Sequence, residues 1–228
     1  MIRTDAMIPD LYGPAHDAMR FALADVLAAI ARHDDARHDD ARYGAIAARW
    51  SDVARLVDSH ARAEAATLLP LLAIAAPRVA AELGAAHAAL AEAADAIGAS
   101  LATLVESAEH DRRRHYRAAL VLVRHFIGDC LSHLGKEEET ARPALVGHFP
   151  PATLFAARHA LLARLGQTEA CANLAVIATA VDRGGACPLL RTAALQDGDG
   201  FAREAERILS DAIEAPARID AGAERLAA

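Results

Sequence analysis

The sequence predicts an all-α protein. Alanine and leucine dominate its 228 residues, aromatic residues make up 4% of them, and runs of β-branched residues are scarce. Over four long stretches, apolar residues recur at alternating steps of three and four, which is typical of helices that pack in a bundle. We therefore predict an up-down-up-down four-helix bundle at 10–145, followed by a C-terminal helical extension at 149–228.

The first two helices are predicted at about Pro14–Arg32 and Tyr43–Ile74, after an irregular lead-in with breakers at Pro9 and Gly13. His16 lies on the apolar stripe of the first helix. The stripe continues through Met19, Leu23, Val26, Leu27 and Ile30. The core-facing positions of the second helix are Ile46, Trp50, Val53, Val57, His60, Glu64, Thr67 and Leu71.

A charged connector separates these two helices, where Ala-Arg-His-Asp-Asp occurs twice in succession. His33 and His38 each precede an aspartate pair, so a metal site and a solvated loop are both conceivable. Because the segment has no apolar face that would bury a site, we favour the loop.

The third helix is predicted at about Pro77–Ser107, and the polar cluster His110–Arg114 is predicted to turn the chain. A fourth helix then runs to about Ala141 and is ended by Pro143. The core-facing positions of the third helix are Val79, Leu83, His87, Leu90, Ala94, Ile97, Leu101 and Leu104. Those of the fourth are Tyr116, Leu120, Val123, Ile127, Cys130, His133 and Glu137.

Histidine and glutamate replace apolar residues at core positions on these helices. His60 and Glu64 stand four residues apart, as do His133 and Glu137, so each pair projects from one helix face. Counting residues from each predicted turn places these side chains and two further histidines at one depth in the bundle. The predicted metal ligands are His16, His60, Glu64, His87, His133 and Glu137.

Buried carboxylates require compensation, because an unpaired charge in a core costs several kcal/mol. Two glutamates and four histidines in one layer therefore call for cations, although mutual hydrogen bonding without metal is the alternative. Imidazole and carboxylate ligands in a helical bundle suit iron or manganese, whereas closed structural zinc sites more often use thiolates. Zinc occupancy remains possible.

In combination, these motifs resemble the hemerythrin-like proteins, also called HHE cation-binding domains, over about residues 10–145. The resemblance implies a four-helix bundle with a non-haem di-iron centre of two iron ions, bridging carboxylates and an open position for dioxygen or solvent. Ala91 stands where oxygen-carrying hemerythrins have a further histidine. Six protein ligands instead of seven leave more of the metal shell to water, which disfavours simple oxygen transport.

Three other residues have weaker claims to the site. Glu138 is the rival of Glu137, but it lies about 100° further round the helix and is predicted to face away. Tyr12 lies one turn before His16, either approaching the open end of the site or making a lead-in contact. Cys130 shares the face of His133 and is interpreted as a small core residue, with a redox role as the alternative.

The C-terminal extension is predicted to contain helices at about 152–165, 169–182 and 201–215, without a matching ligand pattern. His148 and His159 are predicted not to bind metal. The extension is expected to pack against the bundle or against a partner, which could be a second copy of the chain.

Composition excludes some classes of function. The formal net charge is −7 and no long basic stripe exists, which argues against nucleic-acid binding. The sequence shows no signal peptide and no uninterrupted apolar run of membrane-spanning length, so no membrane association is expected. Three cysteines without zinc-type spacing fit a reduced, cytoplasmic protein.

Two functions are compatible with these features. The first is a metal-centred module that binds or senses dioxygen, redox state or iron, and this is the one we favour. The second is a di-iron enzyme that acts on a small oxidant such as peroxide or nitric oxide. A pocket for a larger molecule would favour the enzyme, but no sequence feature reveals one.

Overall fold

The computed structural model describes residues 8–31 and 40–164, and every regular element within them is helical. The prediction of an all-α protein is confirmed for these residues. The helices are α1 (Gly13–Ala31), α2 (Asp40–Ala75), α3 (Pro77–Glu106), α4 (Glu109–Lys136), a π turn (Glu137–Ala141), α5 (Arg142–His148) and α6 (Pro151–Arg164). The connector with His33 and His38, Cys171, Cys187, and the helices predicted at 169–182 and 201–215 lie outside the described residues.

Local chemistry explains where the first helices begin and end. The Asp10 carboxylate accepts hydrogen bonds from the backbone N–H groups of Tyr12 (3.3 Å) and Gly13 (2.9 Å), which starts α1. Ala76 alone separates α2 from α3, and Pro77 occupies the first turn of α3. Proline is tolerated there because the first helical N–H groups have no intrahelical acceptor.

The prediction that His110–Arg114 turns the chain is wrong, because these residues form the first turns of α4. The chain turns instead at Ser107 and Ala108. Glu109 and Asp111 place negative charge at the helix N-terminus, where it interacts favourably with the helix dipole.

The prediction that Pro143 ends the fourth helix is also wrong. After Lys136 the chain continues through the π turn, in which the backbone N–H of Arg142 donates to the carbonyl of Glu137. Pro143 then lies in the first turn of α5. A proline is tolerated there because the helix does not need the backbone N–H that proline lacks. Helical structure therefore continues to His148 and ends before Phe149-Pro150-Pro151, the boundary predicted from sequence.

The described helices pack together around two apolar clusters. The larger cluster involves α1, α2, α3 and α4, and at its centre the Trp50 indole contacts the Phe126 ring (centroids 5.0 Å apart) and donates to the Ala94 carbonyl (3.2 Å). The smaller cluster includes Leu145 of α5 and Leu154 of α6. The extension therefore begins with a helix that packs against α2 and α5, as expected.

Within the described residues, α3 alone is long and apolar enough to cross a membrane. Core helices that never enter a membrane pass the same test of length and composition. Packed against α2 and α4, α3 buries Leu83, Ile97 and Leu104. The apolar character of α3 is thus weak evidence for a membrane span.

Candidate metal centre

A layer of polar side chains separates the two apolar clusters. On α2, the larger cluster reaches Val57 and the smaller one begins at Ala63, with His60 between them. On α3, His87 likewise lies between Leu83 of the smaller cluster and Leu90 of the larger one. The side chains in this layer are His16, His60, Glu64, His87, His133 and Glu137, the six that the sequence indicates.

Glu137 lies at the centre of this layer. Its Oε2 atom is 3.2 Å from His16 Nε2 and 3.9 Å from His60 Nε2. Its Oε1 atom is 2.9 Å from His133 Nε2 and 3.4 Å from His87 Nε2. Each oxygen of this one carboxylate therefore faces a different pair of histidines.

The two oxygens of Glu64 also face different histidines. Its Oε1 atom is 3.2 Å from His60 Nε2, and its Oε2 atom is 3.4 Å from His87 Nε2. Both carboxylates are almost completely buried, with exposed fractions of 2% for Glu64 and 1% for Glu137. The pair of glutamates thus connects the histidines of α1 and α2 to those of α3 and α4.

These side chains form two groups that could each hold a metal ion. The first group is His16, His60, Glu64 and Glu137, and the second is Glu64, His87, His133 and Glu137. Within each group, the potential ligand atoms all lie within 4.8 Å of one another. Both glutamates belong to both groups, so the two groups lie side by side and share their carboxylates.

The unsatisfied polar atoms of the layer also fit a cation. Although the nitrogens and oxygens lie close together, nine buried side-chain atoms have no hydrogen-bond partner among the residues described. They include the Nε2 atom of every histidine in the layer and both oxygens of Glu137. Buried polar groups without partners are costly, and donor atoms that converge on a shared point are satisfied by metal ions.

The electrostatics of the layer favour cations. Burial lowers the pKa of His87, but the carboxylates of Glu137 and Glu64 outweigh burial and raise that pKa to about 9. They also raise the pKa of His60 against the effect of burial. Burial would raise the pKa of Glu137, but the four surrounding imidazoles hold it far below its usual range. A metal ion bound by His60 or His87 would therefore compete with a proton for the same imidazole.

The net shift in the pKa of Glu64 is upward, opposite to that of Glu137. Burial raises the pKa of this carboxyl above the usual range, and the nearby imidazoles of His60 and His87 compensate only in part. The two glutamates are therefore unequal in the metal-free layer, because Glu137 is held ionised while Glu64 takes up a proton more readily. A cation between them would hold both in the charged form.

Glu138 belongs to neither ligand group, but it contacts the layer from outside instead of facing away. Its Oε1 atom is 2.8 Å from His16 Nδ1, and its two oxygens accept from an Arg20 nitrogen at 2.8 and 2.7 Å. The helix α1 packs against α4 on this side, so a residue displaced from the face of Glu137 meets α1 instead of solvent. A carboxylate acceptor at Nδ1 orients the ring so that Nε2 is directed at the layer, where it could bind a metal ion.

Removing the Glu138 carboxylate is expected to weaken one metal site selectively. With Glu138→Ala, affinity at the group containing His16 should fall roughly 10- to 100-fold, as when other metal-ligating histidines lose their outer hydrogen bond. The second site, which lacks His16, should change much less. Stepwise calorimetric titration with Zn²⁺ would measure both affinities, with exposed Glu139→Ala as the matched control. Equal weakening of both sites would contradict the assigned role.

Tyr12 and Cys130 also lie beside the layer. The Tyr12 ring is buried and its centroid is 5.1 Å from that of His16, so it is more than a surface lead-in contact. Burial, reinforced by the charges of Glu64 and Glu137, raises the pKa of its phenol. Burial raises the pKa of the Cys130 thiol to about 12, which agrees with the interpretation as an inert core residue.

Two further histidines, His148 and His159, lie near the start of the extension and are predicted not to bind metal. His148 lies at the end of α5, with its ring centroid 4.7 Å from that of Phe149, and it belongs to neither metal-ligating group. The side chain of His159 falls outside what the structure describes.

A cleft that no sequence feature predicts leads to the histidines. It lies between α2 and α3, has a volume of about 270 Å³, and reaches His60, His87 and His133. Its signal in the sequence is a set of small residues on two adjacent helices. Alanines are so frequent in this chain that this signal is not distinctive.

Comparison of the chain with models of known protein families, with curated proteins and with solved structures finds no match. The site must therefore be interpreted from its own geometry.

Proposed function

We propose that this chain is a hemerythrin-like protein whose polar layer binds two iron ions. The observation that carries the proposal is the orientation of the two carboxylates. Glu64 and Glu137 each direct one oxygen toward each histidine pair. A single cation would leave one of the two histidine pairs without a metal ion, and mutual hydrogen bonding would leave fewer atoms unsatisfied. Manganese or zinc would fit the same donor atoms.

We further propose that α1 to α4 form an up-down-up-down bundle around this centre. Connections of one residue between α2 and α3 and two residues between α3 and α4 support antiparallel neighbours. Contacts of α1 with both α2 and α4 support a closed arrangement. In such a bundle, each of the four helices contributes ligands to one layer.

The favoured function is binding or sensing of dioxygen, redox state or iron in the cytoplasm. A pair of iron ions supplies electrons and an open coordination position for a small ligand. The protein holds the ions through four imidazoles and two carboxylates, orients His16 through Glu138, and surrounds the layer with two apolar clusters. Through the C-terminal extension, which begins with α6, the chain would report the state of the centre to a partner or a second copy.

The alternative function is a di-iron enzyme acting on peroxide, nitric oxide or a related small oxidant. One observation favours it, namely the cleft that reaches three of the four histidines. A module that only binds a diatomic molecule has no need for a cavity of this size. The enzyme is therefore the second candidate.

Reaction of the iron-loaded protein with oxidants separates the two functions. Anaerobically reduced protein is expected to change its optical spectrum on addition of dioxygen, without sustained consumption of oxidant. Sustained turnover of peroxide or nitric oxide would favour the enzyme. Iron-loaded His87→Ala protein is the control for unspecific iron chemistry. If wild-type protein binds no iron and shows no spectral change, both functions are excluded.

A further inference from the structure

The cleft between α2 and α3 has an apolar interior and an open rim. Its buried lining includes Met19, Cys130 and Leu134, and its exposed lining includes Ala88 and Ala91 of α3. The volume of about 270 Å³ is roughly twice that of a cavity of about 150 Å³ that binds benzene. The space therefore suits a molecule of roughly ten non-hydrogen atoms.

Small residues on both helices keep this cleft open. Ala61 and Ala65 of α2 face Gly84, Ala88 and Ala91 of α3 across it. A Cβ atom added at Gly84 would meet no atom within 4 Å, which shows how much free space adjoins the helix. Side chains this short do not bridge two helices packed side by side, so the gap extends inward to the histidines.

The charges of the lining indicate an uncharged ligand. Asp58 and Arg62 are the charged residues that line the cleft, and they bind each other, with Arg62 Nε 2.8 Å from Asp58 Oδ2. The remaining lining residues are apolar, apart from the three histidines. An ionic ligand would therefore lose its hydration without gaining an opposite charge from the cleft walls.

The histidines give the cleft a polar end. The Nδ1 atoms of His87 and His133 are buried and have no hydrogen-bond partner within the described part of the chain. Their Nε2 atoms face the layer, and when Nε2 of a neutral imidazole binds a metal ion, the proton lies on Nδ1, which is then the donor. A ligand oxygen, such as a carbonyl or hydroxyl, would satisfy such a donor.

We propose that this cleft binds a small uncharged organic molecule with an apolar body and one hydrogen-bond-accepting oxygen. The molecule lies between α2 and α3 with its oxygen toward the histidines. Its binding depends on the cleft walls, whereas its role as a reaction partner of the metal centre rests on the proposed function. This ligand class goes beyond the small oxidants named above.

Acetophenone is a suitable probe, because it combines an aromatic ring with one carbonyl oxygen. Full-length protein labelled with ¹³C at the methionine methyl groups would be titrated in metal-free and zinc-loaded forms. Met19 is the methionine that lines the cleft, and Met19→Leu assigns its signal. We expect a saturable shift of the Met19 signal. Elemental analysis of the same samples tests metal binding separately.

Ala91→Leu supplies the decisive comparison, because it places a larger side chain at the exposed rim of the cleft. Acetophenone should bind at least about tenfold more weakly to this variant, with unchanged metal content. Ala96→Leu, at an exposed position of α3 outside the cleft lining, should bind like wild type. Absence of a saturable Met19 shift, or equal affinity in Ala91→Leu, would overturn the inference even if two metal ions bind.

Discussion

Glu137→Gln is expected to abolish stoichiometric binding at both metal sites. The Glu137 oxygens face both histidine pairs, at 3.2 Å from His16 Nε2 and 2.9 Å from His133 Nε2. A glutamine retains only one oxygen, so one site loses its Glu137 ligand to an NH₂ donor and the other keeps a neutral amide oxygen in place of a charged one. The loss in affinity should exceed the roughly 10- to 100-fold cost of losing an outer hydrogen bond.

The measurement is metal content after loading and desalting. Wild-type protein and the exposed neighbour Glu139→Gln should retain two ions per chain, and Glu137→Gln should retain fewer than one. His87→Ala removes a ligand from only one group, so it should retain close to one ion. Two ions in Glu137→Gln would show that this carboxylate does not bridge the sites.

Metal removal is expected to destabilise the protein and to reverse the pH dependence of its stability. Metal that binds only the folded chain stabilises it by about 4 kcal/mol per site at a free concentration 1,000 times the Kd. Without metal, the pKa of His87 is raised above that of an unfolded histidine, to about 9. Protonated His87 therefore stabilises the folded, metal-free protein fully below pH about 6.5, and this stabilisation is lost as the pH rises through about 9.

The free energy of unfolding of the metal-loaded protein should instead rise with pH over this window, because metal ions and protons compete for the same imidazoles. Urea unfolding at several pH values, with and without metal, would measure the free energy of unfolding in each state. His87→Ala should flatten the profile of the metal-free protein, whereas His125→Ala, on the exposed side of α4, should leave it unchanged. Parallel profiles for the loaded and metal-free protein would contradict the assignment.

The convergence of the six ligands could be predicted because helices have a constant rise. Once Pro77 and the apolar periodicity locate the helices, residue counts determine which side chains share a level. The levels of His60 and His87 therefore follow from sequence, and the structure brings both within 3.4 Å of a carboxylate oxygen. A shift of one or two residues at a helix end, as at Ser107, does not alter the level enough to separate them.

The role of Glu138 could not be predicted, because the angular position of a residue on a helix does not reveal which neighbouring helix lies on that side. Its contact with His16 depends on how α1 packs against α4. The π turn could not be predicted either, because a proline in the sequence normally indicates the end of a helix. In the structure Pro143 lies in the first turn of α5, where a proline is tolerated. The cleft escapes prediction for a related reason, because it is a space between α2 and α3 that small residues fail to fill.

Anomalous diffraction from crystals of the iron-loaded, full-length protein tests the central claim most directly. Data collected at the iron absorption edge should show two peaks in the polar layer. One peak should lie among His16, His60 and the two glutamates, and the other among His87, His133 and the same two glutamates. A layer without an iron peak, or with a single peak bound by only one histidine pair, would contradict a two-iron centre bridged by Glu64 and Glu137.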